Sequence, residues 1–184
     1  MLSMFLILIS EEMNDSMLEK VTEEELEKIV YFFQKRKSPG PDGFTIESYQ
    51  GFFELLKEDL LKVVQESQRD RKVLGALYST FLALVPKKQN SSSFEDFRPI
   101  SCYNVVYKII AKIIAHCLKP ILSDIISEEQ FGFLFNRQIN YVVSLTREAI
   151  HTINRNKRKY FVMKLDLTKA YNRVSWTILL LLLI

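Results

Sequence analysis

The chain has 184 residues, 48% of them hydrophobic and 26% charged, with thirteen Phe and eight Tyr. This length and composition fit one domain, or one large piece of a bigger one, and exclude an intrinsically disordered chain. A formal net charge of only +3 tolerates a nucleic-acid partner without demanding one, so any basic footprint must be local.

The first ten residues, Met1 to Ser10, are apolar but too short to span a bilayer. They lack a basic leader, and Glu11-Glu12 follow in place of a small-residue cleavage site, so a packed segment is expected here rather than a signal peptide. Thr22-Glu23-Glu24-Glu25 has the pattern of a capping box, in which Thr22 and Glu25 each satisfy the other's backbone N–H. Leu26, Ile29, Val30 and Phe33 then recur at helical spacing. Lys35, Arg36 and Lys37 are expected to end this helix with positive charge.

Ser38-Pro39-Gly40-Pro41-Asp42-Gly43 is a dense turn signal, with two prolines that fix φ and two glycines that free it. It matches no phosphate-cradling pattern and reads as a rigid, shaped connector. Tyr49, Phe52, Phe53, Leu56, Leu60 and Val63 mark a second amphipathic helix, which runs out near Gln68-Arg69-Asp70. Phe81 to Val85 reads as a buried strand stopped by Pro86. After the polar turn Lys87–Ser93, Phe97-Arg98-Pro99-Ile100 resumes an extended path, which predicts a hairpin.

Asn104 to Lys119 is the third helix, striped by Val106, Ile109, Ile110, Ile113, Ile114 and Cys117, with Pro120 expected to kink or end it. Val142, Val143, Leu145 and Ala149 suggest one more helix, followed by the basic turn Arg155-Asn156-Lys157-Arg158-Lys159. A short apolar strand, Tyr160 to Leu165, then delivers Asp166, and the apolar run Leu179–Ile184 reads as a buried helix cut off mid-way. Helices first, then a hairpin, then a strand edged by helices: the order predicts an α+β fold.

Several stretches have residue types suited to chemistry. Asp166 at the end of a strand can hold a hard divalent cation, or it can cap the helix that starts at Thr168. Lys87 and Arg98 can close on a triphosphate, or decorate a solvated hairpin tip. The turn Arg155–Lys159 can meet a nucleic-acid backbone, or be a solvated loop. Cys102 and Cys117 have neither a disulfide nor a zinc spacing, so reduced intracellular thiols are expected, and His116 and His151 have no partner at ligand spacing.

Taken together the chain resembles the reverse transcriptases of non-LTR (LINE-type) retrotransposons. Lys37-Ser38-Pro39-Gly40-Pro41-Asp42-Gly43-Phe44-Thr45 is similar to the family's opening block, and Leu84-Val85-Pro86-Lys87 to its first fingers strand. Asp96-Phe97-Arg98-Pro99-Ile100-Ser101, with Asn104 and Tyr107–Lys112, is similar to the second fingers strand and the helix after it. Gln130, Gly132-Phe133 and Arg137-Gln138-Ile139 resemble the next block, and Asp166 to Trp176 the first catalytic motif of the palm.

The resemblance implies the fingers and partial palm of a right-hand polymerase, truncated. Its expected organisation is an N-terminal extension over residues 1–21, a fingers region over 22–159 and the start of the palm over 160–184. Its implied function is RNA-directed DNA polymerase, acting on an RNA template, a DNA primer and deoxynucleoside triphosphates with Mg2+. Asp166 would be the first catalytic metal ligand, helped by the Leu167 carbonyl. Tyr171 would be the gate that rejects ribonucleotides, Lys87 and Arg98 would contact the triphosphate, and Arg137, Arg155, Lys157, Arg158 and Lys159 would contact nucleic acid.

Asn172 stands where the family usually has Asp, Asn136 where it has Gly, and Tyr78 and Cys117 where it favours Asn and Arg. The family's later aromatic-Ala-Asp-Asp turn does not occur in these residues. One carboxylate organises two metals poorly, so the polypeptide alone is expected to be inactive. A non-catalytic nucleic-acid-binding fragment and a degenerate retroelement remnant remain as alternatives. No membrane role is expected, the location is expected to be the nucleus or cytoplasm, and the oligomeric state stays open.

Overall fold

A computed structural model describes residues 9–132, 134, 137–156, 161, 163, 165, 174, 175 and 177. The chain divides into two compact units, Met1–Arg137 and Gln138–Ile184.

In the first unit, among the described residues, four helices come before the hairpin and a long one follows it. Helix α1 spans Glu11–Leu18 and is capped by Ser10, whose hydroxyl accepts from the Met13 N–H at 3.2 Å. Helix α2 spans Glu23–Phe32 behind the expected capping box: Glu25 N–H donates to Thr22 Oγ1 at 3.2 Å, and Thr22 N–H to Glu25 Oε2 at 3.1 Å. It buries Leu26, Ile29 and Val30.

The helix stops earlier than the sequence suggests, with Phe33 already extended, so Lys35, Arg36 and Lys37 lie in the following loop and not in its last turn. The physical reason is tertiary. The buried Gln50 side chain donates to the carbonyls of Val30 (2.9 Å) and Phe33 (3.2 Å), satisfying acceptors that a longer helix would have bonded itself.

The second expected helix is two helices, α3 (Ile46–Gly51) and α4 (Phe53–Arg69), which meet at Phe52. Phe52 leaves helical geometry (φ −112°, ψ 24°) directly after Gly51, a poor helix former. The break turns Phe52 outward, 63% exposed, and Phe53 into the core at 2%.

Strands β1 (Thr80–Pro86) and β2 (Phe97–Tyr103) form the expected antiparallel hairpin, in continuous register from Thr80↔Tyr103 to Pro86↔Phe97. The reading of Phe81–Val85 as a buried strand does not hold. Every residue of β1 is exposed, because the two-stranded ribbon has no further layer packed on it among the described residues.

Helix α5 runs from Val105 to Ile125, through Pro120 and beyond the expected end. Proline removes one i→i−4 hydrogen bond, yet the turn after it is anchored by Ile121, which is buried. The core lies among α2, α4 and α5: Leu26, Val30 and Ile109 are its most deeply buried large side chains, with Phe53, Leu60, Val64, Val106, Ile110 and Ile113 around them.

The second unit contributes helix α6, Ile139–Arg155, whose described side chains include none that is buried. The strand expected over Tyr160–Leu165 falls largely outside the described residues; of it Phe161, Met163 and Leu165 are described, and none of the three is in a strand. Among the described residues no helix is long and apolar enough to cross a membrane. The described structure mixes helices with a hairpin, as the α+β reading expects.

Candidate nucleotide and nucleic-acid contacts

The hairpin register decides how Lys87 and Arg98 can act. Val85 lies opposite Arg98 and Pro86 opposite Phe97, and the Lys87 N–H continues the ladder by donating to the Asp96 carbonyl at 2.7 Å. Val85 and Arg98 stand directly opposite each other and share one face of the ribbon, while Lys87 lies one residue beyond β1 and Asp96 ends the 3-10 turn before β2.

The connection is ordered by its own hydrogen bonds. The 3-10 turn Phe94–Asp96 precedes β2, and the Asp96 carboxylate accepts from the N–H groups of Ser92 (3.1 Å) and Ser93 (3.3 Å). Lys88 forms an ion pair with Asp96 at 2.8 Å. The Lys88 ammonium, and after it the Ser92 N–H, hold the Asp96 carboxyl below the usual carboxylate range.

The Lys87 ammonium donates to the Glu95 carbonyl at 2.6 Å, which leaves further donors on the same nitrogen. The Arg98 side chain is exposed and makes no hydrogen bond or ion pair within the described residues.

The loop from Lys37 to Gly43 is fastened to the start of α5. Asn104 is buried, with 5% of its surface exposed. Its Oδ1 accepts from the Asp42 N–H at 3.2 Å, and its Nδ2 donates to the Ala76 carbonyl at 3.1 Å. Gly40 lies against the same residue so closely that a Cβ there would overlap the Asn104 backbone. Lys108 adds a bond from its ammonium to the Ser38 carbonyl at 3.4 Å.

An Asn before a helix ordinarily suggests an N-cap, yet the Asn104 side chain makes no cap bond. Its position ahead of the helix was legible in the sequence; its role as a clamp between two distant segments was not.

Arg137 is occupied within its own unit. Its guanidinium donates to the carbonyls of Ser123 (3.0 Å), Ile126 (2.8 Å) and Gln130 (2.8 Å), and also to that of Ser127. These lie in the last turn of α5 and the turn after it, where carbonyls lack helical partners. Arg155 occupies the last turn of α6, where its charge complements the helix dipole. Asp166, Leu167, Tyr171, Lys157, Arg158 and Lys159 lie outside the described residues. Among the described residues no cluster of three or more His, Cys, Asp or Glu could hold a metal ion.

Comparison with known proteins adds two findings. The family model described as reverse transcriptase (RNA-dependent DNA polymerase) matches residues 85–182, a span that takes in Arg98, Arg137, Asp166 and Tyr171. The chain is also similar to the Transposon TX1 uncharacterized 149 kDa protein of Xenopus laevis, 31% identical over 167 residues. That similarity covers 91% of this chain but 13% of the length of the relative.

Proposed function

The chain belongs to the reverse transcriptase family, and from that membership we propose that it is the fingers region, residues 22–159, and the first part of the palm, residues 160–184, of an RNA-directed DNA polymerase. Its substrates in this reading are an RNA template, a DNA primer and deoxynucleoside triphosphates. Lys87 and Arg98 bind the incoming triphosphate, and Tyr171 lies beside its sugar and excludes a 2′-hydroxyl.

The observation that supports the triphosphate role is the hairpin register, which sets Arg98 opposite Val85, two residues before Lys87 at the end of β1. The Arg98 guanidinium presents a fork of donors suited to phosphate oxygens, and the Lys87 ammonium a point charge beside it. Asp96, bound to Lys88 and to two backbone amides, is already neutralised and does not compete for these cations.

The implied metal is Mg2+. The carboxylate of Asp166 and the carbonyl of Leu167 are hard oxygen donors of the kind it takes. Bound there it would supply charge stabilisation during nucleotidyl transfer. No Asp-Asp pair occurs in the 184 residues. A polypeptide of these residues alone therefore holds one carboxylate of a site that needs several, and we expect it not to extend a primer.

Primer extension on an RNA template with Mg2+ tests this. The expected result is no template-directed product; synthesis that disappears in Asp166→Ala would show that the segment is catalytic by itself. Titration with a Mg2+–deoxynucleoside triphosphate tests the hairpin. Binding should weaken about tenfold or more in Lys87→Ala and Arg98→Ala, since each removes a charge-assisted contact, and unchanged binding in both would reject the triphosphate role.

A further inference from the structure

Away from the hairpin, the first unit holds a cleft of about 570 Å3 between the end of α1, the link from α1 to α2, the end of α4 and the middle of α5. Its floor belongs to the core: Val21, Val64, Ile110 and Ile113 line it and are buried. Its wall on α5 is apolar and partly open to solvent, with Ile114 54% exposed.

Hydrogen bonds fix the shape of the cleft. Two glutamines of α4 hold the link between α1 and α2: Gln65 Nε2 donates to the Val21 carbonyl at 2.8 Å, and Gln68 Nε2 to the Glu19 carbonyl at 2.7 Å. The other end of the Gln68 amide is unmatched. Gln68 lines the cleft, and its Oε1 is buried without a hydrogen-bond partner. A buried acceptor in that state is unfavourable until a donor reaches it.

Charge does not select an ionic occupant. Glu19 and Glu25 line the cleft together with Lys20, Arg71 and Lys72, so both signs are present. An apolar floor, a rim of mixed sign and one unmatched acceptor fit an uncharged apolar peptide, whose backbone brings N–H donors of its own.

The same unit carries such a segment next to the cleft. Met1–Leu8 lies outside the described residues; seven of its eight residues are apolar and none is charged. It joins α1 at the end away from the cleft, while Ser16 and Met17 at the other end line the cleft itself. Helix α1 is about 12 Å long, and eight residues reach at most about 26 Å, so the segment can double back along α1 and enter the cleft. None of the residues of α1 is buried, which leaves its surface open to a chain running back along it.

We propose that Met1–Leu8 seats in this cleft, its apolar side chains against Val64, Ile110, Ile113 and Ile114 and one of its backbone N–H groups donating to Gln68 Oε1. The sequence expects these residues to pack on the body of the protein, and the cleft supplies the place. The contact uses no residue assigned to the triphosphate or the metal, so it holds or fails independently of the polymerase reading.

The native thiol of Cys117 lines the cleft and reports on its occupation. The test is the rate at which a maleimide alkylates Cys117 in the whole chain, with Cys102→Ser removing the other thiol. Phe5→Asp and Leu6→Asp each put a carboxylate into the apolar segment and should speed alkylation about tenfold or more, because a charge resists burial and favours the open state. Leu6→Ile should keep the protection, and Leu55→Asp, at an exposed position of α4 away from the cleft, should change nothing. The reverse arm reads the segment: Ile114→Asp in the cleft wall should speed amide exchange in residues 2–8 about tenfold or more. Thermal melting checks that each variant stays folded.

A wild-type alkylation rate in both Asp variants of the segment overturns the proposal, as does unprotected exchange of residues 2–8 in the wild type. Equal speeding by Leu55→Asp also overturns it. So does protection of Cys117 that rises with protein concentration, which would place a second copy in the cleft, or a bound small molecule in native mass spectrometry whose removal exposes Cys117 while Leu6→Asp does not.

Discussion

Gly40 and Asn104 are 64 residues apart in sequence, yet the space for a side chain on Gly40 is taken by the backbone and Oδ1 of Asn104. The turn-rich loop and the start of α5 are thereby locked into one body.

Gly40→Ala should destabilise the protein by about 2–3 kcal/mol, in the range for overpacking, because the obstructing atoms include backbone that cannot move aside. Gly43 differs. It has φ +75° but open space around its Cα, so Gly43→Ala should cost about 1 kcal/mol through backbone strain alone. Urea denaturation of the two variants checks the order; a Gly43 variant as unstable as the Gly40 variant would contradict the packing account.

Asn104→Leu removes both bonds of the clamp and leaves the Asp42 N–H and the Ala76 carbonyl without partners. A loss of about 2–4 kcal/mol is expected, since unsatisfied buried groups cost about 1–3 kcal/mol each. Asn104→Asp keeps the acceptor for Asp42 but loses the donor for Ala76, and should be less stable than wild type as well. Thermal melting, with hydrogen exchange at the Asp42 amide, distinguishes them: exchange should rise in the Leu variant more than in the Asp variant.

Gln50→Glu replaces an amide donor with a carboxylate facing the carbonyls of Val30 and Phe33. Lost hydrogen bonds and a buried charge near two acceptors should cost about 2–4 kcal/mol at neutral pH. Circular dichroism should show a lower melting temperature, and Gln50→Met a smaller loss, because Met brings no charge. Equal stability of the Glu variant and wild type would mean that Gln50 does not close helix α2.

Arg137→Lys keeps the formal charge but cannot span four carbonyls. It should destabilise by about 1–3 kcal/mol and speed amide exchange between residues 121 and 126. If exchange there is unchanged, the guanidinium is not holding the end of α5.

The Asp96 carboxyl is held low by Lys88 and by the amides of Ser92 and Ser93. A folded value below the unfolded one, about 3.9, means that its stabilisation is present in full above the unfolded value. It is lost as the pH falls through the folded value. Melting curves of wild type and Asp96→Asn should therefore differ at neutral pH and draw together as the pH falls below the ordinary carboxylate range. A gap that persists at the acid end would remove the carboxylate from the account.

Much of this was readable along the chain. The capping box at Thr22 and Glu25, the stripe of Val106, Ile109, Ile110 and Ile113, and the hairpin around Lys87–Ser93 all depend on neighbours a few residues apart. Local spacing and turn chemistry suffice to specify them. The misreadings share one cause. Helix α2 ends at Phe32 because Gln50 meets its carbonyls, β1 is exposed because no further layer packs on it among the described residues, and α5 continues past Pro120 into a turn bonded by Arg137.

The sequence by itself determined the family and which residue types stand in the motifs, because those are matters of identity and order along the chain. It also determined that Lys87 and Arg98 flank a turn. Only the tertiary structure decided that Arg98 stands opposite Val85 in the ribbon, that Asn104 clamps the loop at Gly40 instead of capping its helix, and that the Lys112 ammonium sits over the Phe32 ring. The physical reason is that hydrogen-bond partners, steric exclusion and shared surfaces are set by distance in space. Residues 64 or 80 positions apart acquire such a distance only when the core of α2, α4 and α5 closes.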